Sequence, residues 1–190
     1  KDITINIINL NDVAPEFTSS SSYSAAENQT SVGTAKATDV EGDTLTYSIS
    51  GTELAITSTG LITFKSAPDF ESKTSYTASV TVSDGVNETI QDITVSVTNL
   101  NDVAPIISSS TSLAADENQT TIGTLTVVDP EGGNFTFTAG GTDGSLISIS
   151  SSGVLSFKTA PNYENKASYV FTVTVSDGVN TSTKTFTISI

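Results

Sequence analysis

Three observations in the sequence predict an all-β fold built from tandem antiparallel β-sandwiches. Apolar and polar residues alternate in stretches such as 93–97 (ITVSV) and 171–176 (FTVTVS), and this period of two is typical of half-buried strands. A sustained helical period is found nowhere in the chain. The heptamer NLNDVAP occurs at 9–15 and again at 99–105, 90 positions apart. The short strands, the regular turn signals and the repeat together indicate two sandwiches of similar length.

The repeated heptamer marks the boundary between structural units. We divide the chain into residues 1–10, the last strand and linker of a truncated preceding repeat, and two repeats at 11–100 and 101–190. Residues 1–8 align with 91–98, so we expect this orphan strand to be disordered or to pair with an exposed sheet edge. The second repeat carries a three-residue insertion around 142–145, which predicts a longer hairpin loop.

Alternation and turn residues predict seven strands in each repeat. In the first repeat they lie near 22–26, 31–38, 44–50, 54–57, 61–65, 75–83 and 89–98. In the second repeat they lie near 106–115, 121–128, 134–139, 146–150, 153–158, 168–176 and 181–190.

Composition excludes several classes of function. The chain has 190 residues and a formal charge of −14, from 21 acidic residues and 7 lysines, so it lacks the basic surface that nucleic acid binding needs. It contains no Cys and no His, which excludes soft-metal sites, His-based triads and Cys nucleophiles. No apolar run approaches transmembrane length, and we expect no direct membrane contact from this segment.

Four acidic motifs recur in both repeats. They are ENQT at 27–30 and 117–120, D-x-EG at 39–42 and 129–132, P-[DN]-[FY]-E at 68–71 and 161–164, and SDGVN at 83–87 and 176–180. Each motif alone is typical of a turn, because Asp accepts local backbone hydrogen bonds and Gly adopts positive φ. The set also offers the carboxylate, amide and carbonyl oxygens that calcium prefers, whereas magnesium needs a stricter octahedron.

These motifs, in this order and twice over, resemble the cadherin repeat family in the bacterial form found in large surface proteins and adhesins. NLNDVAP is similar to the family linker D-x-N-D-N-A-P, and Glu27-Asn28 is similar to its P-E-N motif. The resemblance covers both repeats and implies Greek-key, immunoglobulin-like β-sandwiches joined by a calcium-binding linker. Three positions depart from the family: Asn99 and Glu131 replace Asp, and Val103 replaces Asn.

The family binds Ca²⁺ between successive repeats, so the resemblance implies the ligands. For the central joint these are Glu27, Asp69 and Glu71 from the first repeat, Asn99, the Leu100 carbonyl, Asn101, Asp102 and the Val103 carbonyl from the linker, and Asp129, Glu131 and Asp177 from the second repeat. For the N-terminal joint they are Asn11, Asp12, the Val13 carbonyl, Asp39, Glu41 and Asp84. We expect one ion at the N-terminal joint, and an empty or weak site at Glu117, Asn162 and Glu164.

The function expected from this sequence is mechanical. Calcium between successive repeats would stiffen an extracellular spacer of a cell-surface adhesin and so support calcium-dependent adhesion. The alternative is a ligand-binding module, for cell-surface polysaccharide or for homophilic contact with another copy. An enzyme is not expected, because paired acids that recur at the same place in both repeats are better explained as metal ligands than as acid–base catalysts.

Overall fold

The computed structural model describes residues 3–190. The chain divides into two compact units, residues 1–100 and 101–190. Within the described residues each unit contains nine β-strands, which follow one another in the same order and pair in the same way.

The strands of the first unit vary in length from two to eleven residues. They are β1 (Glu16–Phe17), β2 (Ser22–Ala26), β3 (Ser31–Thr34), β4 (Ala37–Thr38), β5 (Thr46–Ile49), β6 (Leu54–Ile56), β7 (Leu61–Phe64), β8 (Ser75–Ser83) and β9 (Glu88–Thr98). One sheet has the order β2-β9-β8-β5 and the facing sheet has the order β3-β7-β6, while β1 pairs with β4. Strand β2 runs parallel to β9, and the other pairs are antiparallel.

The second unit repeats this topology. Its strands are β10 (Ile106–Ile107), β11 (Ser112–Ala114), β12 (Thr121–Thr124), β13 (Val127–Val128), β14 (Thr136–Gly140), β15 (Ile147–Ile149), β16 (Val154–Phe157), β17 (Ser168–Ser176) and β18 (Thr181–Ser189). The sheets are β11-β18-β17-β14 and β12-β16-β15, with β10 paired to β13. Strand β11 is parallel to β18.

Each unit buries its own apolar core between its two sheets. Inward residues of the long strands, such as Val80, Val95, Phe171 and Phe186, have no measurable exposure, because alternate residues of a strand face the same side. The all-β prediction and the two-sandwich prediction are therefore confirmed.

Three predicted strands are interrupted, and one strand was missed. The segments 31–38, 106–115 and 121–128 each form two short strands, because the chain changes partner part-way along the segment. In the first unit β3 pairs with β7, whereas β4 pairs with the unpredicted β1. The remaining predicted strands are present, with ends that differ by up to two residues.

The insertion in the second repeat does not form a hairpin loop. It leads into a 3-10 helix at Gly144–Leu146, between β14 and β15. These two strands belong to different sheets, so the inserted residues lie in a connection that crosses from one sheet to the other.

Two outcomes were expected for residues 1–8, disorder or pairing with a sheet edge, and the pairing is not found in the described part of the segment. Residues 3–10 contain no strand, and Ile3, Ile5 and Ile7 are each more than 80% exposed. Lys1 and Asp2 lie outside the described residues. Within residues 3–190, no helix has the length and apolar character needed to cross a membrane.

Candidate metal centre

Glu27 is the most deeply buried acid of the first unit, with 2% of its surface exposed. It follows directly after β2, and its two carboxylate oxygens accept hydrogen bonds from different segments. Oε2 accepts from the Phe70 backbone N–H at 2.7 Å, and Oε1 accepts from the Leu100 N–H at 2.7 Å. Burial of a carboxylate is costly unless it is hydrogen-bonded, so these two bonds keep Glu27 in place.

Two further acids of the same unit lie beside Glu27. Carboxylate oxygens of Glu27, Asp69 and Glu71 all lie within 4.8 Å of one another. The Ser72 backbone N–H and hydroxyl donate to Asp69 at 3.2 and 3.0 Å, which fixes the turn that carries this acid. Three convergent carboxylates repel one another, and a hard divalent cation with oxygen ligands would relieve that repulsion.

Asp39 and Asp129, at equivalent positions of the two repeats, share an unusual feature. Oδ1 of Asp39 accepts the Gly42 N–H at 2.9 Å, and Oδ1 of Asp129 accepts the Gly132 N–H at 2.9 Å. The second oxygen of each carboxylate, Oδ2, is buried and has no hydrogen-bond partner among the described residues. A buried unpaired carboxylate oxygen is costly unless a cation or a donor reaches it, so this donor set fits a bound calcium ion.

Neighbouring acids crowd these positions. Burial, together with the nearby charges of Asp39 and Asp12, raises the pKa of Glu41 above its ordinary range. In the second unit, carboxylate oxygens of Asp102 and Glu131 lie within 4.8 Å of each other. Both repeats therefore gather acids where the linker sequence enters the unit.

Asp84 and Asp177 have a different environment. Burial acts to raise the pKa of Asp84, but hydrogen bonds from the N–H groups of Asn87 and Val86 outweigh it and lower the pKa. Burial also acts to raise the pKa of Asp177, but hydrogen bonds from the N–H groups of Val179 and Asn180 outweigh it and lower the pKa. These aspartates are stabilised in the charged form by their own turns.

Two residues near these aspartates were missed by the sequence reasoning. The side-chain amides of Asn87 and Asn180 bond to Asn11 and Asn101 of the linker motifs. Their recurrence in SDGVN could have indicated a role, but a turn explains that recurrence equally well.

Most of the remaining predicted ligands lie closer to the surface. Asn99 is exposed, and Val13 and Leu100 are 47% and 44% exposed, while Val103 is half-buried. Glu117 accepts a hydrogen bond from the Tyr163 N–H at 3.3 Å, and Asn162 and Glu164 are exposed.

Solved structures of cadherin ectodomains have a similar arrangement of strands. Residues of human protocadherin-24 EC1-2 match with a TM-score of 0.77 and 22% identity, over 93% of this chain and 97% of that one. Mouse cadherin-23 EC22-24 matches with a TM-score of 0.77 and 23% identity, over 96% of this chain and 66% of that one. Residues 101–189 also match the family model described as a bacterial Ig domain. Both units therefore have the β-sandwich fold of cadherin ectodomain repeats.

One curated protein that is similar to this chain is named as a chitinase. Chitinase A of Pseudoalteromonas piscicida is 29% identical over 160 residues, which cover 82% of this chain and 19% of that protein. The chain thus spans about a fifth of the length of this relative.

Proposed function

We propose that this pair of cadherin-like repeats is an extracellular, non-catalytic spacer that calcium stiffens, as part of a larger surface adhesin. The observation that carries the proposal is the convergence of Glu27, Asp69 and Glu71 within 4.8 Å. The buried, unpaired oxygens of Asp39 and Asp129 support it, because calcium supplies the positive charge that these oxygens lack.

The proposal assigns the ligands to two groups. One group combines acids from inside the first repeat with the segment after its last strand: Glu27, Asp69 and Glu71, with Asn99 and the Leu100 carbonyl. The other group begins a repeat: Asp12, Asp39 and Glu41 with the Val13 carbonyl in the first, and Asp102, Asp129 and Glu131 with the Val103 carbonyl in the second. Calcium shared by an end group and the following start group would restrict motion between repeats, which is otherwise expected at small interdomain contacts.

Thermal unfolding in millimolar calcium and in excess chelator tests calcium binding directly. A ligand at a hundred times its dissociation constant stabilises the folded state by about 2.7 kcal/mol, which raises the Tm of a domain this small by about 10 °C or more. The double variant Asp69→Asn/Glu71→Gln is expected to lose most of this shift. The matched control is Glu88→Gln, an exposed acid outside both ligand groups. An equal calcium shift in the double variant would contradict the assignment.

Small-angle scattering tests the mechanical part. We expect a broad distribution of interdomain distances in chelator and a narrow one in calcium. The same distribution under both conditions would leave calcium binding intact and refute stiffening.

A second candidate is a polysaccharide-binding module, and the likeness to a protein named as a chitinase favours it. Sugar-binding surfaces generally use exposed aromatic rings, and among residues 3–190 Tyr163, 53% exposed, is the aromatic side chain with the most open surface. Retention on insoluble chitin that Tyr163→Ala abolishes would support this candidate. Passage through chitin without retardation would refute it for that polymer.

A further inference from the structure

The side-chain amide of Asn180 lies among oxygens that the cadherin resemblance assigns to calcium. Its Nδ2 is 2.8 Å from Asn101 Oδ1, 3.2 Å from the Asn101 carbonyl oxygen and 3.5 Å from Asp177 Oδ2. All three oxygens are acceptors, and the amide group offers two hydrogens to them. One NH₂ group therefore stands at the point on which three candidate ligand oxygens converge.

The first unit contains the same arrangement. Nδ2 of Asn87 is 2.9 Å from Asn11 Oδ1, 3.5 Å from the Asn11 carbonyl oxygen and 3.2 Å from Asp84 Oδ2. The two asparagines that bond are 76 residues apart in the first unit and 79 in the second, because the second contains the insertion. The contact survives that change in spacing, so it belongs to the repeat and not to one local turn.

The backbone of Asn180 fixes the position of its side chain. Its N–H donates to Asp177 Oδ1 at 2.6 Å, and its carbonyl oxygen accepts from the Ser176 hydroxyl at 3.0 Å. With this backbone held, rotating the amide by half a turn would place its oxygen against three other oxygens. The surroundings thus select the orientation in which the NH₂ group faces Asn101.

We propose that Asn87 and Asn180 act as substitutes for a cation, each holding the linker asparagine against the aspartate of its own repeat. We call each arrangement an Asn clasp: Asn87 with Asn11 and Asp84, and Asn180 with Asn101 and Asp177. Two hydrogens distributed over three oxygens satisfy this corner without metal, whereas calcium needs six to eight oxygens. The start of each repeat is thereby ordered in the absence of calcium.

The Asn clasp reduces the number of residues that are available to bind calcium. It rests on the proposed function only for the calcium that the neighbouring acids bind. It excludes from calcium binding four residues that the resemblance names as ligands: Asn11, Asp84, Asn101 and Asp177. Asp12, Asp39 and Glu41, with their counterparts in the second repeat, retain the calcium.

The test has a metal-free arm, which does not depend on calcium binding at all. In excess chelator, Asn180→Ala is expected to lower the Tm of the second unit by about 5 °C, because the amide hydrogen bonds are lost. Asn180→Asp is expected to lower it further, since a second carboxylate would stand beside Asp177. Asn134→Ala is the matched control, because Asn134 is exposed and lies outside the clasp. A Tm for Asn180→Ala equal to that of the control would overturn the proposal.

The second arm titrates calcium into the wild-type chain, Asn180→Ala and Asn180→Asp by calorimetry. We expect Asn180→Ala to bind the same number of ions as the wild type, with affinity changed less than threefold. We expect calcium to restore Asn180→Asp to the wild-type Tm, because the added carboxylate converts the corner into a cation site. Loss of one ion or a tenfold weaker affinity in Asn180→Ala would show that Asn180 is a ligand and would overturn the proposal. A wild-type chain that binds no calcium would refute the proposed function, and the chelator arm would still decide the clasp.

Discussion

The same glutamate has different surroundings in the two repeats. Glu27 is 2% exposed and accepts two backbone hydrogen bonds of 2.7 Å. Glu117 is half-buried and accepts a bond of 3.3 Å from Tyr163. The second donor to Glu27 is Leu100, which comes after the last strand of the unit. The Leu100 N–H therefore supplies one of the two bonds that hold the Glu27 carboxylate in place.

The ion pairs of the two repeats differ in the same way. Lys73 pairs with Glu53 at 2.6 Å, and both side chains are about half exposed. Lys166 pairs with Asp143, whose side chain is 8% exposed and also accepts the Val170 N–H at 2.7 Å. Asp143 lies in the inserted segment, so three extra residues replace a surface ion pair with one whose acid is buried.

The largest effect is expected at equivalent glycines. Gly60 has φ of 88°, and a Cβ added there would lie 2.3 Å from the Ala35 carbonyl oxygen, whereas at Gly153 the nearest atom is 3.3 Å away. Gly60→Ala should cost about 4 kcal/mol, from left-handed strain and a clash with backbone. Gly153→Ala should cost about 1–2 kcal/mol. Hydrogen exchange of peptides covering β7 and β16 would measure each unit, and equal losses would contradict the difference in space.

The second-largest effect is expected for Glu27→Ala. In chelator, where metal plays no part, it should destabilise the first unit by about 2–3 kcal/mol, because two charge-assisted hydrogen bonds at a buried site are lost. Glu117→Ala should cost the second unit less than about 1 kcal/mol. Urea unfolding followed by circular dichroism measures both, and a comparable loss in the two variants would show that the contact with Leu100 contributes nothing.

The ion pairs should differ by a smaller amount. Asp143→Asn removes charge from a buried acid with two donors and should cost about 1–2 kcal/mol. Glu53→Gln, at an exposed pair, should cost less than about 0.5 kcal/mol. The free energy of unfolding at pH 7 and low salt is the measurement. If raising the salt concentration weakened both pairs equally, burial of Asp143 would not protect its pair.

The smallest effect is expected in the dependence of folding stability on pH. The Lys166 ammonium, against the opposing effect of burial and with help from the Val170 N–H, lowers the pKa of Asp143. A depressed folded-state pKa contributes stability above the unfolded-state value of about 3.9, and this stability disappears as pH falls through the folded-state pKa. The wild type should therefore lose more stability than Asp143→Asn between about pH 5 and pH 2. Parallel pH profiles would refute this contribution.

Much of the fold is predictable because the long strands carry a period of two over most of their length. The predicted ends of segments 75–83 and 168–176 match the observed strands, since alternation over 75–83 and over 171–176 leaves little freedom in assigning the ends. The two-residue strand Glu16–Phe17 could not be predicted, because two residues have no period and its pairing with β4 depends on tertiary packing.

The acidic residues of the candidate site could be predicted from the sequence, whereas the asparagine side chains that contact the linker could not. Recurrence identified Glu27, Asp69 and Glu71, and the structure brings these three together. It did not identify Asn87, whose contact with Asn11 joins residues 76 positions apart. Such a pairing arises from the topology of the sandwich, because the β8–β9 turn and the entering linker meet at one end of the unit.

The parallel pairing of β2 with β9 has a consequence for how a repeat bears tension. The five register pairs from Ser22↔Thr94 to Ala26↔Thr98 join β2, which follows the short first strand of the unit, to β9, its last strand. A pull on the two ends of the unit draws these neighbouring strands in opposite directions along their common axis. The hydrogen bonds between them are then loaded together in shear and do not open one at a time. Parallel β11 and β18 give the second repeat the same geometry, so each sandwich resists mechanical unfolding through its own pair of parallel strands.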